Sequence, residues 1–403
     1  MPNEPQAWLI TPRDPVIVRD GRPFGPDPGA RAQSLPFPLP ATVAGAVRTR
    51  CGEAQGGFDP GGAMSAAVRT LPVCGPFLAE LSPTDGAPPQ LLLPAPGDAL
   101  AFAGDSDRTL RRRWLRPVQV DAAAQSDLDP RLLPIGMAAP IAEKPLHKPP
   151  AFWREESYLQ WLADPQDDDG DVQLDKLGIP GPVAESRVHV RIDPATGTAD
   201  EGFLFQTSGL EFQLRPPVKP EWRLDGATTL GLLVVTAAEI DAGPGSLGGE
   251  RRTVFWQRAV DLLPECPPTL RAAIVAAQAC RLILTTPGLF ADGLLPRFDW
   301  LAIPDLHVTV KGAVASRYDV ISGWDYAAGM AKKTRRLAPA GAVYYLSLAG
   351  SSRAAIDQFV TQLWFHPVSD DAQDRRDGFG VAALGAWEGK QVQMEVKPCH
   401  KNR

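Results

Sequence analysis

Apolar and polar positions change places in short blocks along this chain, and the sharpest block lies near its middle. Val188, Val190 and Ile192 alternate with Arg187, His189 and Arg191. That period of two predicts a half-exposed strand with one apolar and one cationic face. The turn Asp193-Pro194-Ala195-Thr196-Gly197 leads to a second strand around Phe203-Leu204-Phe205, so a hairpin is expected. Thr229 to Ala237 is continuously apolar and reads as a buried strand. Trp8-Leu9-Ile10 and Val16-Ile17-Val18 read as short strand pieces cut by Pro12 and Pro15. A Pro- and Gly-rich loop follows. Then comes a helix from about Ala41 to Arg50, with Thr42 as its cap and Val43 and Val47 as its apolar stripe.

The second half repeats this rhythm. Leu270, Ile274 and Ala277 share one face of a helix opening near Pro268, and Leu282-Ile283-Leu284 reads as a strand. A strand at Val343–Leu348, a helix at Ser352–Phe365 and a glycine turn feeding a last strand complete the series. Strand–helix–strand order in both halves, with hairpins between, predicts an α+β protein of two ferredoxin-like (RRM-like) domains with inserted β-hairpins and long Pro/Gly-rich loops. The division is placed at Ala242–Gly249, where glycines cluster, giving an N-terminal domain over 1–242 and a C-terminal one over 243–403. Residues 80–180 are the least regular part and read as an insertion on a core that closes elsewhere.

Composition sharpens this picture in two ways. Gly and Pro number 37 and 42 of 403 residues, which fits many turns and short elements. No window carries the roughly 20 apolar residues of a membrane span, and no secretory signal opens the sequence. The five cysteines are widely spaced with no CxxC pair, so neither a zinc site nor a disulfide framework is expected, and a reducing cytoplasm fits best.

The net charge of −6 argues against a nucleic-acid partner only until its distribution is read. Six Lys/Arg face two Asp between His307 and Arg336, whereas six Asp face one Lys between Asp164 and Lys176. Phosphate contacts are local, so such segregation outweighs the total. The acidic run resembles a calcium loop, but with Gly170 in the sixth place Pro165 and Lys176 fall on ligand positions. It is expected to be a solvated loop or a contact for a basic partner.

Catalytic signatures are missing: there is no GxSxG, Walker A, HExxH or HxE…CxxC pattern, and no cofactor or metal is expected. His189, between two arginines, is the one candidate acid or base for a metal-free ribonuclease. Binding features are more numerous. Arg187, His189 and Arg191 form a ridge at intervals of about 7 Å, able to track a phosphate backbone, though a solvated strand face accounts for the pattern equally well. Lys332, Lys333, Arg335 and Arg336 make a dense cationic loop suited to counterion release. Arg111-Arg112-Arg113-Trp114 offers a stacking option, against the plainer role of a buried Trp. The backbone amides at Gly378, Phe379 and Gly380 either approach a phosphate or form a tight turn.

Three segments together resemble one family. LITPRDPVIVRDGRPF…SLPFPLPATVAGAVRTR at the start, ESRVHVRIDPATGTADEGFLF in the middle, and ISGWDYAAGMAKKTRRLAPAGAVYYL with DGFGVAALGAW near the end occur in the order seen in RAMP subunits of CRISPR effector complexes. The resemblance is to the third-subunit family of the type III-B (Cmr) complex. It implies a non-catalytic subunit that grips the 5′ handle of the guide RNA and docks the large polymerase-like subunit beside a backbone RAMP subunit. By the same resemblance Arg19, Arg22, Arg48, the Arg187–Arg191 strand, the 332–336 loop and Gly378–Gly380 face RNA. An endoribonuclease using His189 and a purely protein-contacting subunit are the alternatives.

Overall fold

The computed structural model describes residues 4–19, 31–32, 34–55, 63–82, 87–121, 124–167, 170–215, 227–260, 263–325 and 329–395. Arg22 lies outside them. The chain is a mixed α+β fold with more sheet than helix, and two antiparallel sheets carry its core.

The first sheet is built around the strands Gln6–Pro12 and Thr228–Thr236, which pair antiparallel with Leu9 opposite Leu233. Both faces of Thr228–Thr236 are covered, which is why its sequence is apolar without alternation. On one face Trp8, Ile10, Leu78, Leu232 and Val234 pack against the first helix, Pro40–Ala54. On the other, Phe77, Leu91, Leu93, Trp153 and Leu233 join a core shared with the second sheet.

That sheet extends further than the pattern alone predicts. Gly243–Leu247 and Arg252–Ala259 pair onto the edge of the N-terminal strand, so the 242–249 glycine cluster falls within the first sheet. On the opposite flank, Gln90–Pro94, Phe152–Arg154 and Gly178–Ile179 add three strands from the segment read as irregular. Its helix Glu155–Ala163 buries Tyr158, Trp161 and Leu162. The prolines of this segment punctuate short elements and do not abolish them.

The second sheet runs in the spatial order Thr309–Val314, Val343–Ser347, Ala279–Leu284, Val381–Ala386, His366–Pro367. The helices Pro268–Ala277 and Arg353–Leu363 pack on it. Gln278 takes a left-handed φ of 49° and ends the first of these helices, freeing Ala279 for the strand. Ser352 caps the second helix through its hydroxyl, which accepts from the Ala355 amide. The first helix differs: Leu39 is its cap residue without a side-chain bond, and Pro40 opens it. Proline's fixed φ suits that position, so Thr42 falls inside the first turn.

One buried ion pair ties the second sheet to the loop before Ala99 and to the helix Glu155–Ala163. Arg281 and Asp98 are both 0% exposed, with Nη1 of the arginine donating to Oδ2 at 2.7 Å. Arg281 also donates to the carbonyls of Ala386, Trp161 and Leu162, and Asp98 accepts from the Trp161 indole. Stripping one partner from such a pair leaves a buried charge unpaired, at a cost of about 3–5 kcal/mol. Arg281→Met is therefore expected to lower the free energy of unfolding in urea by about that amount. The double variant Arg281→Met, Asp98→Leu should recover part of the loss. Cys280, whose thiol burial pushes up to about 12, supplies a second readout. It should resist thiol reagents in the native chain and react in the single variant at denaturant concentrations where the native chain stays protected.

Candidate nucleic-acid interface

The hairpin Val183–Ile192/Ala199–Glu211 is the longest two-stranded element, its first strand about 30 Å long. Strand alternation puts Arg187, His189 and Arg191 on one face. Each is supported by a neighbour. Arg187 donates to Glu185 at 2.9 Å, His189 stacks on Phe205 with Nε2 2.8 Å from the Thr207 hydroxyl, and Arg191 bonds Asp200 while lying 3.6 Å from the centre of the Phe203 ring. The ridge is thus a cationic and aromatic surface whose charge is partly compensated locally.

The reverse face is unexpected. Val188, Val190, Ile192 and Leu204 are exposed, Val188 to 68%. Alternation in the sequence foretells which residues share a face; it does not tell whether the chain itself covers that face.

At the hairpin's base the N-terminal segment arrives from two directions. Arg31–Ala32 pairs parallel with Gln206 and Thr207, and Val16 bridges Leu210. Arg19 bridges Ser34 and lies 3.6 Å from Glu250, which also holds Arg252. Ile17, Glu185, Arg187, Thr207 and Arg252 line one shallow cleft here. The structure therefore assembles Arg19 with the hairpin ridge and adds Arg252. Sequence reasoning missed that residue because its role depends on strand pairing across more than two hundred positions.

The second cluster is a ribbon. Asp319–Ile321 pairs antiparallel with Arg335–Leu337, and the turn beyond them is held by the Lys332 amide donating to Gly323. Lys332 and Lys333 are exposed, and among the described residues no acidic group pairs with either. Arg336 lies 4.7 Å from the centre of the Tyr318 ring. Arg335 is turned the other way, bonding Asp374 at 2.7 Å and lying over Phe379. Burial pushes the Asp374 carboxyl up, and the Arg335 guanidinium opposes that shift.

Other candidates are drawn inward. Arg48 is buried and donates to Asp377 at 2.6 Å and to the carbonyls of Leu71 and Arg376. Its fork joins the first helix to the turn before Gly378. The amides of Gly378, Phe379 and Gly380 donate to the carbonyls of Arg375, Asp374 and Pro287, which is the tight-turn arrangement. A Cβ at Gly378, where φ is 87°, would come within 2.6 Å of the Gly75 carbonyl, so the close approach here is between two backbones. Phe379 is buried with Leu289 and Leu337 under the ribbon.

The arginine run ending at Trp114 also has an internal role. Arg112 lies 5.2 and 5.1 Å from the ring centres of Trp153 and Trp161, and the Trp114 indole donates to Tyr345. The acidic segment is partly fastened: Asp167 accepts from the Trp114 amide and from Arg116, and Asp171 from the Asp105 amide. Among the described residues no group of three acidic, His or Cys side chains is arranged to hold a metal, and no helix is long and apolar enough to cross a membrane.

The sequence model of a family described as CRISPR-associated protein (Cas_Cmr3) matches residues 8–387. Two solved structures resemble the chain, both with a TM-score of 0.44 and 17% identity. One is a cryo-EM structure of the type III-B Cmr-beta bound to cognate target RNA and AMPPnP; the match covers 94% of this chain and 98% of that one. The other is Cmr-beta bound to cognate target RNA, with 96% and 98% covered. No curated protein matches.

Because Arg48 and Asp377 form one partly buried unit, Arg48→Ala should destabilise the chain by about 2 kcal/mol. Asp377→Ala added to it should cost clearly less than it does alone, a coupling that a double-mutant cycle by chemical denaturation will measure.

Proposed function

The chain belongs to the CRISPR-associated Cas_Cmr3 family, and on that premise we propose that it is a non-catalytic RNA-holding subunit of a type III-B effector complex. Its RNA is taken to be the 5′ handle of the guide, and its protein neighbours the large polymerase-like subunit and a backbone RAMP subunit. The observation that carries the reading is the ribbon at 319–337. There Lys332, Lys333 and Arg336 stand exposed with no acidic partner among the described residues, in a chain whose other candidate arginines are largely paired. Unpaired surface cations of this density attract phosphate by releasing counterions.

The hairpin supports the same reading from a second place. Its ridge offers both cations and rings, and its bare apolar reverse suits coverage by another chain of the complex. One stretch of backbone runs from the hairpin's base to the foot of the ribbon. Ser34 bridges Arg19 beside the hairpin, and Leu39 packs against the cluster under the ribbon. Those five residue steps span at most about 18 Å. In this reading Arg48 and Gly378–Gly380 act indirectly, by fixing the turn after Asp374, the carboxylate that holds Arg335. A two-domain, ferredoxin-like organisation is part of the same proposal, with the change of sheet placed between Ala259 and Pro268.

Replacing both Lys332 and Lys333 with Ala should weaken binding of single-stranded guide-handle RNA. It should also flatten the plot of log affinity against log salt by about 1.4, two contacts at about 0.7 each. An unchanged slope would place phosphate elsewhere. His189, with Nε2 engaged by Thr207, is assigned to binding. Specific cleavage of repeat RNA by the purified chain, lost in His189→Ala, would overturn the non-catalytic assignment.

A further inference from the structure

The ribbon's two faces have opposite fates. Ile321, Arg335 and Leu337 point inward, where Leu337 is fully buried with Leu289 and Phe379 and Ile321 packs against them. Val320 is paired with Arg336 in the register, so their side chains lie on the same, outer face. Tyr318, two residues before Val320, falls on that face as well, and the Arg336 guanidinium stacks on its ring. Tyr318 is 38% exposed and Val320 56%. An aromatic ring, a β-branched side chain and a planar cation therefore share a surface that the fold has every means to bury and does not.

Charge completes the pattern. Arg317, Lys332, Lys333 and Arg336 belong to this ribbon and its approach, and none has an acidic partner among the described residues. The flat apolar centre and the cationic margin call for a ligand that is itself flat, apolar on its faces and anionic along its edge. A nucleotide has that form. A protein loop would need acidic residues at several separate points around one aromatic insertion to match it.

We infer that Tyr318 and Arg336 form a stacking site for one unpaired nucleobase of the bound RNA. The base extends the Tyr318–Arg336 column on the outward side of the guanidinium, Val320 shields its edge, and Lys332 and Lys333 take the adjoining phosphates. The inference rests on the RNA-holding role proposed above and assigns a base to a surface that until now was given only phosphate. Arg is needed at 336 because its planar head stacks, whereas a lysine supplies charge without a plane.

The test uses the full chain and single-stranded guide-handle RNAs, each carrying 2-aminopurine at one position. In the wild type one position should be quenched on binding. Tyr318→Ala should abolish that quench and weaken binding about tenfold, with the salt slope unchanged. Tyr318→Phe should behave as the wild type, because the ring and not the hydroxyl makes the column. Arg336→Lys should keep the salt slope and lose the quench. An abasic site at the quenched position should weaken wild-type binding and leave Tyr318→Ala unaffected.

Wild-type affinity and quenching in Tyr318→Ala would overturn the inference while leaving the RNA-holding role intact. Equal losses for intact and abasic RNA would do the same. Failure of the wild type to bind any of these RNAs would overturn that role and this site together. Loss of another complex subunit from Tyr318→Ala, with RNA affinity kept, would assign the surface to protein and overturn the inference.

Discussion

The architecture turns on the buried pair of Arg281 and Asp98. Two charges withdrawn wholly from water are tolerable only if every hydrogen-bonding position around them is filled. Here they nearly are. The arginine reaches Asp98 and three carbonyls, and the carboxylate takes the arginine and the Trp161 indole, with the Tyr345 hydroxyl at 3.5 Å. Those groups come from three strands of the second sheet, from the helix Glu155–Ala163 and from the loop before Ala99. None of these parts can shift by even an ångström without leaving a buried polar atom unpaired, so the pair sets their relative position.

The surrounding residues are shaped by that demand. Gly385 sits where a Cβ would lie 2.8 Å from the Arg281 head, so the strand Val381–Ala386 is able to pass beside the guanidinium only with no side chain there. Gly97 donates to the Gly341 carbonyl at 2.8 Å, pinning the loop that carries Asp98 to the end of a second-sheet strand. Trp114 covers the pair, with Arg281 5.5 Å from its ring centre. The buried Tyr158 hydroxyl lacks a partner among the described residues, and burial next to Asp98 raises its pKa strongly. The segment between residues 80 and 180 is thus the material that joins the sheets.

Local pattern and long-range pairing divide cleanly in what the sequence reveals. Alternation located the 183–211 hairpin, and apolar runs located the strands at 228–236 and 343–347, because those signals depend on neighbours a few residues apart. Two strands of the 80–180 segment were hidden, since Phe152–Arg154 and Gly178–Ile179 are only three and two residues long and exist through their partners. The same limit governs the site. Arg48 and Arg336 look alike in a string of letters, yet one finds Asp377 329 positions away and the other finds only an exposed ring.

This difference bears on how an acidic protein can hold an anionic ligand. The chain has 41 basic residues against 47 acidic ones, so its total charge repels RNA. Arginines at 48, 112 and 281 are spent inside, where the planar fork satisfies several acceptors or stacks on tryptophan. Their burial consumes charge that composition counts as available. Among the described residues, the ribbon and its approach keep two lysines and two arginines without an acidic partner, which must lie within a Debye length of about 8–10 Å of one another if they are to act together. At that range such a cluster of free cations outweighs a distant net of −6, because salt screens the distant charge and leaves the near ones in force. Affinity for RNA in such a chain depends on which cations the core has left unpaired, and that is settled by folding.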